Sequence, residues 1–373
     1  MRNPVIFLIL FQISFCCNAQ NAEDSLRQKS TIIYDQLSLS LDQQEIILNN
    51  VKDFPEETQL SIAIIADSKV VYAGFEVKND SVIFIDNHKS VFEIGSITKV
   101  FTSTILAEMV VDGFVDLDDA INSYLPYRLK EDQKITFKQL ANHTSGLPRL
   151  PRNLDLAFVD QSNPYKNYDE SKLKDYLQHE LTFGAKPGET YQYSNLGAGL
   201  LGYVLTKITN KDFETLLQEL VFDKYNMTVT TTDRSKVLNK LVKGRNKRGS
   251  ETSNWDLNIL AGAGAILSNV EDLSKFIRAQ FDTTNKAMAL TQQATFRANL
   301  NMRLGLGWHI VTTRSGQRVL WHNGGTGGYT SSIALDAKRK MGIVILSNVS
   351  AFHDAQGNID KIAFSLLEKL NAR

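Results

Sequence analysis

The sequence predicts a mixed α/β (α+β) protein in which an antiparallel sheet flanked by helices carries an inserted, mainly helical domain. Runs rich in β-branched residues lie near both ends of the chain, and residues 96–290 between them follow mostly a helical pattern with long loops. One sheet built from both chain ends accounts for this order. We expect a sheet part at about residues 20–95 and 300–373, a helical part at about 96–299, and a ligand cleft between the two parts.

The region before residue 95 is predicted to contain a helix and then a hairpin. Residues 22–52 are rich in polar side chains, with Leu and Ile at helical spacing, which indicates a helix. Two apolar stretches follow, Leu60–Ala66 and Val70–Phe75, and the turn-like segment Asp67–Lys69 separates them. This pattern is typical of two antiparallel strands joined by a tight turn.

Two helices are well marked in the middle of the chain. A helix-forming run extends from Thr102 to Val111, and Ser268 and Glu271 have the spacing of a capping box at the start of another helix. The segment Gly197–Gly202 matches the dinucleotide-binding pattern of glycines, but no strand precedes it. We therefore interpret these glycines as a site of close helix packing.

Four runs of strand-forming residues predict an antiparallel meander near the C-terminus. They are Gly307–Thr313, Arg318–Trp321, Tyr329–Leu335 and Gly342–Leu346. Segments 315–316, 324–328 and 337–340 separate these runs, and the first two contain glycine, which favours turns. A helical pattern from about Asn358 to Leu370 follows the meander and predicts a helix that covers the sheet.

Residues 1–19 have the pattern of a secretory signal peptide. Arg2 gives a charged start, Val5 to Phe15 is a short apolar run, and Cys17-Asn18-Ala19 provides a small-residue exit. The apolar run is shorter than the roughly 20 residues that a transmembrane helix needs. We expect cleavage after Ala19 and an exported protein, periplasmic or secreted, with no membrane span.

Charge and cysteine content argue against several classes of partner and cofactor. The chain has 41 basic and 41 acidic residues, and loss of Arg2 with the signal segment leaves 40 and 41. This near-neutral balance gives no electrostatic footprint for nucleic acid or an anionic membrane. Cys16 and Cys17 both lie in the signal segment, so the mature protein would have no thiol for catalysis, disulfides or metal binding. We expect neither a metal nor an organic cofactor.

Ser96 and Lys99 are the first candidate catalytic residues. Their three-residue spacing places both side chains on one face of a helix, so that the amine can reach the hydroxyl. A serine hydroxyl needs a neighbouring base, and a lysine desolvated among apolar neighbours has a lowered pKa and can serve as that base. Ser171 and Lys174 repeat the spacing in a highly charged stretch, where a solvated helix face is the better interpretation.

The sequence resembles class C β-lactamases and the related D,D-peptidases and esterases when three motifs are considered together. These motifs are Ser96-x-x-Lys99, Tyr193-Ser194-Asn195 and His322-Asn323-Gly324, in the family's order. The stretch Leu140–Pro148 is also similar to this family, and the resemblance covers nearly all of residues 55–370. It implies a β-lactamase/transpeptidase-like fold and an acyl-enzyme formed on Ser96.

The resemblance also implies roles for the other motif residues. Tyr193 would share proton transfer with Lys99, and Asn195 would hold Lys99 in place and bind a substrate amide. The backbone amides of Ser96 and Gly325 would form the oxyanion hole, and Gly324 would let the substrate backbone approach closely.

One position departs from the class C pattern. Those β-lactamases typically carry lysine where His322 stands, and histidine there resembles some D,D-peptidases and esterases. A neutral imidazole offers a substrate carboxylate a hydrogen bond but no fixed charge. The departure weakens the expectation of antibiotic resistance without affecting the serine chemistry.

The expected function is a secreted serine hydrolase that acts on a small-molecule or peptidoglycan-derived substrate. A class C-like β-lactamase is the first interpretation, a D-alanyl-D-alanine carboxypeptidase the second and an esterase of the same family the third. A non-catalytic peptidoglycan-binding protein is the alternative from another class. The three intact motifs argue against it, because binding alone requires neither Lys99 nor Tyr193.

Overall fold

The computed structural model describes residues 39–371 of the chain. The predicted signal segment, residues 1–19, lies outside this part, and so does the predicted helix before residue 39. The remainder of that helix forms α1, Leu41–Val51. Among residues 39–371, no helix has the length and apolar character that a bilayer crossing requires.

A nine-stranded antiparallel sheet in the order β3-β2-β1-β11-β10-β9-β8-β7-β6 is the centre of the fold. Its strands are β1 (Gln59–Ala66), β2 (Lys69–Lys78), β3 (Ser81–Phe84), β6 (Phe296–Arg297), β7 (Met302–Leu304), β8 (His309–Thr312), β9 (Arg318–Gly325), β10 (Thr330–Asp336) and β11 (Met341–Ser347). Strand β1 pairs with β11 from Leu60 opposite Ser347 to Ala66 opposite Met341. The predicted closure of one sheet by both ends of the chain is therefore confirmed.

Strand β9 differs from its prediction at one end. The sequence predicts a strand that stops at Trp321, but β9 continues to Gly325 because that residue still pairs with Thr330 of β10. Glycines in a strand indicate a close approach of another backbone, and this approach occurs here. A Cβ atom at Gly324 would lie 1.9 Å from the carbonyl oxygen of Ile94. The sequence pattern did not predict the short strands β3, β6 and β7.

Helices occupy most of the chain between β3 and β6. The α-helices are α2 (Thr98–Val111), α3 (Phe137–Ala141), α4 (Glu170–Asp175), α5 (Asn195–Thr209), α6 (Phe213–Leu217), α7 (Val270–Ala279), α8 (Lys286–Thr291) and, after the sheet, α9 (Asn358–Asn371). Two π-helical turns, Tyr176–Glu180 and Gln218–Phe222, continue α4 and α6. Two-residue strands β4 (Phe92–Glu93) and β5 (Leu267–Ser268) pair with each other. The 3₁₀ turns are Gly95–Ile97, Ile121–Tyr124, Lys130–Asp132, Arg234–Lys236 and Asn258–Ala263.

Helix α2 lies at the centre of the helical region and is buried on all sides. Every residue from Thr98 to Met109 is buried, including Lys99 and Glu108. A helix that buries its whole circumference must find partners for its polar side chains. Glu108 accepts a hydrogen bond from Lys224, and the partners of Lys99 form part of the site described below.

The two faces of the sheet carry different neighbours. Ser331 and Ser332 are adjacent in β10 and therefore point to opposite faces. The Ser332 hydroxyl donates to Asp360 of α9 at 2.7 Å, whereas the Ser331 hydroxyl donates to the carbonyl of Ile94 at 2.8 Å. Helix α9 thus covers one face, and the segment that leads to α2 lies on the other.

The predicted capping box at Ser268 is wrong by one position. Asn269 is the N-cap of α7, and its side chain accepts a hydrogen bond from the backbone amide of Asp272 at 2.8 Å. Ser268 belongs to β5, and its hydroxyl shares a hydrogen bond with that of Thr230. Asparagine is as effective an N-cap as serine, so strand pairing decides which residue begins the helix.

The glycines of α5 allow close packing, as the sequence predicts. A Cβ atom at Gly199 would lie 2.6 Å from the Leu260 side chain, and one at Gly202 would lie 3.0 Å from the Cα of Gly262. Helix α5 therefore packs closely against the 3₁₀ turn Asn258–Ala263. This packing fixes the position of the Ala263 carbonyl, which accepts a hydrogen bond from Lys99.

We expect Gly324→Ala to destabilise the fold strongly, because its Cβ would overlap the backbone of Ile94 rather than a flexible side chain. The free energy of unfolding should fall by more than about 2 kcal/mol, as measured by chemical denaturation. Gly357→Ala is the matched control, since nothing lies within 4 Å of its Cβ. A Gly324→Ala protein as stable as Gly357→Ala would refute the proposed close approach.

Candidate active site

Ser96 lies at the junction between the sheet and the buried helix. It is the middle residue of the 3₁₀ turn Gly95–Ile97, which leads directly into α2. Gly95 has a φ of +51°, and a Cβ atom there would lie 2.6 Å from the amide nitrogen of Gly325. Both constraints favour glycine before Ser96. The turn leaves the Ser96 side chain partly exposed, while its neighbours in the turn are buried.

Lys99 is buried beside Ser96. Its Nζ donates to Ser96 Oγ at 2.9 Å and to the carbonyl oxygen of Ala263 at 2.7 Å. Burial holds the pKa of Lys99 well below its usual value, and the positive charge of Arg149 lowers the pKa further. An amine with a lowered pKa at hydrogen-bond distance from a hydroxyl can accept its proton.

Tyr193 lies next to this pair. Lys99 Nζ is 4.9 Å from the centre of the Tyr193 ring. Burial raises the pKa of Tyr193, and a hydrogen bond with Ser96 partly opposes this effect. The hydroxyl therefore stays protonated in the resting site and is placed to pass on a proton.

Ser194 fixes the segment that carries Tyr193. Its hydroxyl accepts from the amide of Gly197 at 2.8 Å as the N-cap of α5, and donates to the carbonyl of Pro148 at 2.6 Å. Its backbone amide donates to Nδ1 of His143 at 3.2 Å. The middle motif is thus attached to the segment that contains the family-like residues His143 to Pro148.

Asn195 does not hold Lys99 in the predicted manner. Its Oδ1 atom is buried and has no hydrogen-bond partner in the part of the chain that the structure describes. The Ala263 carbonyl orients Lys99 instead, because the glycines of α5 allow the turn at Asn258–Ala263 to come close.

Gly324 and Gly325 bring the end of β9 against the segment before Ser96. The close approaches of Gly324 to Ile94 and of Gly325 to Gly95 place the Gly325 amide beside the Gly95–Ser96 peptide. The Ser331 hydroxyl, which donates to the Ile94 carbonyl, reinforces this contact. The Gly325 amide, predicted to bind an oxyanion together with that of Ser96, therefore lies beside the turn that carries Ser96.

His322 is buried beside Tyr193, with ring centres 6.3 Å apart. Its Nδ1 is 2.6 Å from the carbonyl oxygen of Asn323, which places a hydrogen on Nδ1. Burial holds the pKa of His322 well below its usual value, and the nearby His309 and Lys99 lower it further. The ring is therefore neutral, and its Nε2 has no partner among residues 39–371.

Sequence reasoning missed two further histidines at this site. His143 lies 4.5 Å from the Tyr193 ring, centre to centre, and His309 lies 5.1 Å from His322. The Tyr191 hydroxyl shares a hydrogen bond of 3.0 Å with Nε2 of His309. His143 belongs to the family-like stretch Leu140–Pro148 but to none of the three motifs, and no local sequence pattern indicates a role for His309. Within the described residues, no group of three or more His, Cys, Asp or Glu side chains is arranged to hold a metal ion.

The second serine–lysine pair lies apart from this site. Ser171 and Lys174 are both exposed on the short helix α4. Spacing alone therefore does not make a reactive pair; burial of the lysine distinguishes Lys99 from Lys174.

Comparison with known proteins gives a consistent result. The model of the Beta-lactamase family matches residues 48–366. A β-lactamase of Pseudomonas fluorescens is 26% identical over 328 residues, which cover 78% of this chain and 88% of that protein. Protein flp of Staphylococcus aureus strain MW2 is 26% identical over 280 residues, 70% of this chain and 53% of flp. The chain thus spans about half the length of flp.

Two solved structures share the fold. One is the β-lactamase/D-alanine carboxypeptidase of Pseudomonas syringae, with a TM-score of 0.73 at 22% identity over 87% of this chain and 97% of that one. The other is the octameric penicillin-binding protein homologue of Pyrococcus abyssi, also at 0.73 and 22%, over 89% of this chain and 77% of that one. The antiparallel sheet with flanking helices is therefore a β-lactamase/transpeptidase-like fold.

We expect the protein to lose stability as the pH falls from about 6.5 towards 4. Burial lowers the pKa of His309 from 6.5 to about 4 and holds those of His143 and His322 well below 6.5. The folded state therefore stays unprotonated where the unfolded chain binds protons, and the stabilisation present above pH 6.5 is lost on acidification. His309 alone should account for about 3 kcal/mol of this loss.

Chemical denaturation between pH 7.5 and pH 4.5 measures this dependence. His309→Gln should make the loss of stability less steep, whereas His179→Gln, which changes an exposed histidine, should leave it as in the wild type. Equal slopes for the wild type and His309→Gln would show that burial of this imidazole does not control the acid response.

Proposed function

Because the chain belongs to the Beta-lactamase family of serine hydrolases, we propose that it is an exported enzyme that opens the β-lactam amide through an acyl-enzyme on Ser96. The observation that carries this proposal is the contact of 2.9 Å between Ser96 Oγ and the buried Nζ of Lys99. A buried lysine that pairs with no carboxylate among residues 39–371 is costly for stability, so its position beside Ser96 favours a chemical role.

Acylation begins with the attack of Ser96 Oγ on the substrate carbonyl carbon. Lys99, whose pKa is lowered by burial, takes the hydroxyl proton as the new carbon–oxygen bond forms. The carbonyl oxygen gains negative charge and is bound by the backbone amides of Ser96 and Gly325. Each such donor contributes on the order of 3 kcal/mol to stabilisation of the intermediate.

Tyr193 completes the proton transfer to the leaving group. The amide nitrogen must be protonated as its bond to carbon breaks, and the raised pKa of Tyr193 keeps a proton on its hydroxyl. Tyr193 gives this proton to the nitrogen and recovers one from Lys99, whose Nζ lies 4.9 Å from the centre of the tyrosine ring. The hydroxyl thus connects the nucleophile with the leaving group.

Deacylation reverses these roles with water as the nucleophile. Lys99 and Tyr193 accept the proton of the attacking water, and Ser96 Oγ recovers a hydrogen when the acyl bond breaks. Asn195, whose side chain is half-buried, would bind the substrate's side-chain amide. No step calls on a metal or an organic cofactor.

A D-alanyl-D-alanine carboxypeptidase is the second candidate, and the buried His322 favours it. His322 stands where class C β-lactamases typically carry lysine, and a histidine at this position resembles some D,D-peptidases and esterases. The structural neighbour from Pseudomonas syringae carries both activities in its name. The same residues would perform acylation with either substrate, and only access of water to the acyl-enzyme would differ.

Substitution of the three central residues tests the mechanism. Ser96→Ala should abolish turnover, and Lys99→Ala and Tyr193→Phe should each lower kcat by about 10²- to 10⁴-fold, since each removes a group that moves a proton. The double variant Ser171→Ala/Lys174→Ala is a matched control, because it removes the same spacing from an exposed helix. Wild-type activity in Ser96→Ala would disprove the assignment of the nucleophile.

Hydrolysis of a chromogenic cephalosporin, followed by intact-mass spectrometry, separates the two candidates. Rapid turnover with little adduct is expected of a β-lactamase. A lasting adduct on Ser96 without turnover would instead establish a carboxypeptidase or esterase that the β-lactam acylates.

The same spectra test export, because a chain recovered outside the cytoplasm should have the mass of residues 20–373; retention of residues 1–19 would contradict signal cleavage.

A further inference from the structure

Arg149 places an exposed guanidinium next to Tyr193. Its Cζ atom lies 5.2 Å from the centre of the Tyr193 ring, on the segment that follows His143 to Pro148. The charge acts on the whole site: it lowers the pKa of Lys99 and of His143, and it lowers that of Tyr193 in opposition to burial. Arg149 is therefore electrostatically part of the site, although no sequence motif includes it.

The backbone of Arg149 is tied to the segment that carries Tyr193. Its carbonyl oxygen accepts from the amide of Asn195 at 2.9 Å and from that of Leu196 at 3.2 Å. The preceding carbonyl, of Pro148, accepts from the Ser194 hydroxyl. The origin of the side chain is thus fixed relative to Tyr193 and Asn195, while the guanidinium itself extends into solvent.

The Arg149 side chain has no protein counter-ion within residues 39–371. Other arginines of the chain form ion pairs, such as Arg234 with Asp256 and Arg339 with Asp336. Among the described residues, the guanidinium of Arg149 contacts the Tyr193 ring and forms no hydrogen bond. Because the three neighbouring histidines are neutral, its positive charge is uncompensated and attracts an anion into the site.

We propose that Arg149 binds the carboxylate of the substrate and so determines specificity for carboxylate-bearing acyl donors over neutral esters. This role rests on the proposed function, since β-lactams and D-alanyl peptides both carry a carboxylate close to the scissile amide. The planar guanidinium matches a carboxylate with two parallel hydrogen bonds. Arg149 thereby supplies the fixed charge that the buried, neutral His322 lacks.

The test compares a cephalosporin that has a free carboxylate with its methyl ester. In the wild type, kcat/KM for the carboxylate should exceed that for the ester. Arg149→Gln should lower this ratio by about 10- to 100-fold, mainly through a higher KM for the carboxylate, because a charge-assisted hydrogen bond is lost. Arg149→Lys should recover part of the ratio, since it restores the charge without the planar fork.

Arg152→Gln is the matched control, because Arg152 is another exposed arginine of the same loop and the charge change is identical. An effect of Arg149 on the pKa of Lys99 would change kcat/KM for both substrates by the same factor, so it cancels in the ratio. A ratio in Arg149→Gln equal to that of the wild type would overturn the proposal.

Equilibrium binding separates this proposal from the proposed function. The carboxylate cephalosporin should bind Ser96→Ala at least about tenfold more tightly than Ser96→Ala/Arg149→Gln, as measured by calorimetry. Arg149-dependent binding without any acylation of the wild type would support carboxylate binding by Arg149 and contradict the hydrolase mechanism. Rapid turnover with no dependence on Arg149 in either assay would support the hydrolase mechanism and contradict carboxylate binding by Arg149.

Discussion

The buried amine of Lys99 is the constraint on which the rest of the structure depends. An amine removed from water must find hydrogen-bond partners, and it has two, Ser96 Oγ and the Ala263 carbonyl. Each partner requires a specific piece of the fold. Ser96 is reached because the 3₁₀ turn continues into α2, and Ala263 is reached because the glycines of α5 allow the neighbouring turn to approach. The helix that carries Lys99 is buried all round because α5, α8 and the turn Asn258–Ala263 are among the elements that pack against it.

A second constraint joins the helical region to the sheet through direct backbone contact. Gly324 and Gly325 at the end of β9 approach Ile94 and Gly95 more closely than any side chain would permit. This contact places an amide of the sheet beside the turn that presents Ser96. A site assembled from two rigid backbones holds its donors in place without reorganisation, which is what stabilisation of a developing charge requires.

Local patterns were sufficient for the sheet and for the reactive pair, but not for the surroundings of that pair. The nearly continuous apolar runs of β1 and β11 and the Ser96–Lys99 spacing are properties of short segments, so the sequence predicts them correctly. The partner of Lys99 is a backbone carbonyl 164 positions away, and no side-chain pattern marks it. His309 and Arg149 likewise enter the site only through tertiary packing. The cap at Asn269 instead of Ser268 shows the same effect locally, because strand pairing overrides an equally good capping pattern.

The distribution of charge around Tyr193 has a physical reason. A lysine in place of His322 would put a second amine in a buried position close to Lys99, and no described carboxylate pairs with either position. Each of two neighbouring buried amines would oppose the protonation of the other and lower its pKa further. A neutral imidazole at 322 avoids this cost. The positive charge stands instead on Arg149, whose guanidinium is exposed to water. The guanidinium loses hydration when a substrate binds and not when the chain folds, so the cost of its desolvation does not reduce the stability of the fold.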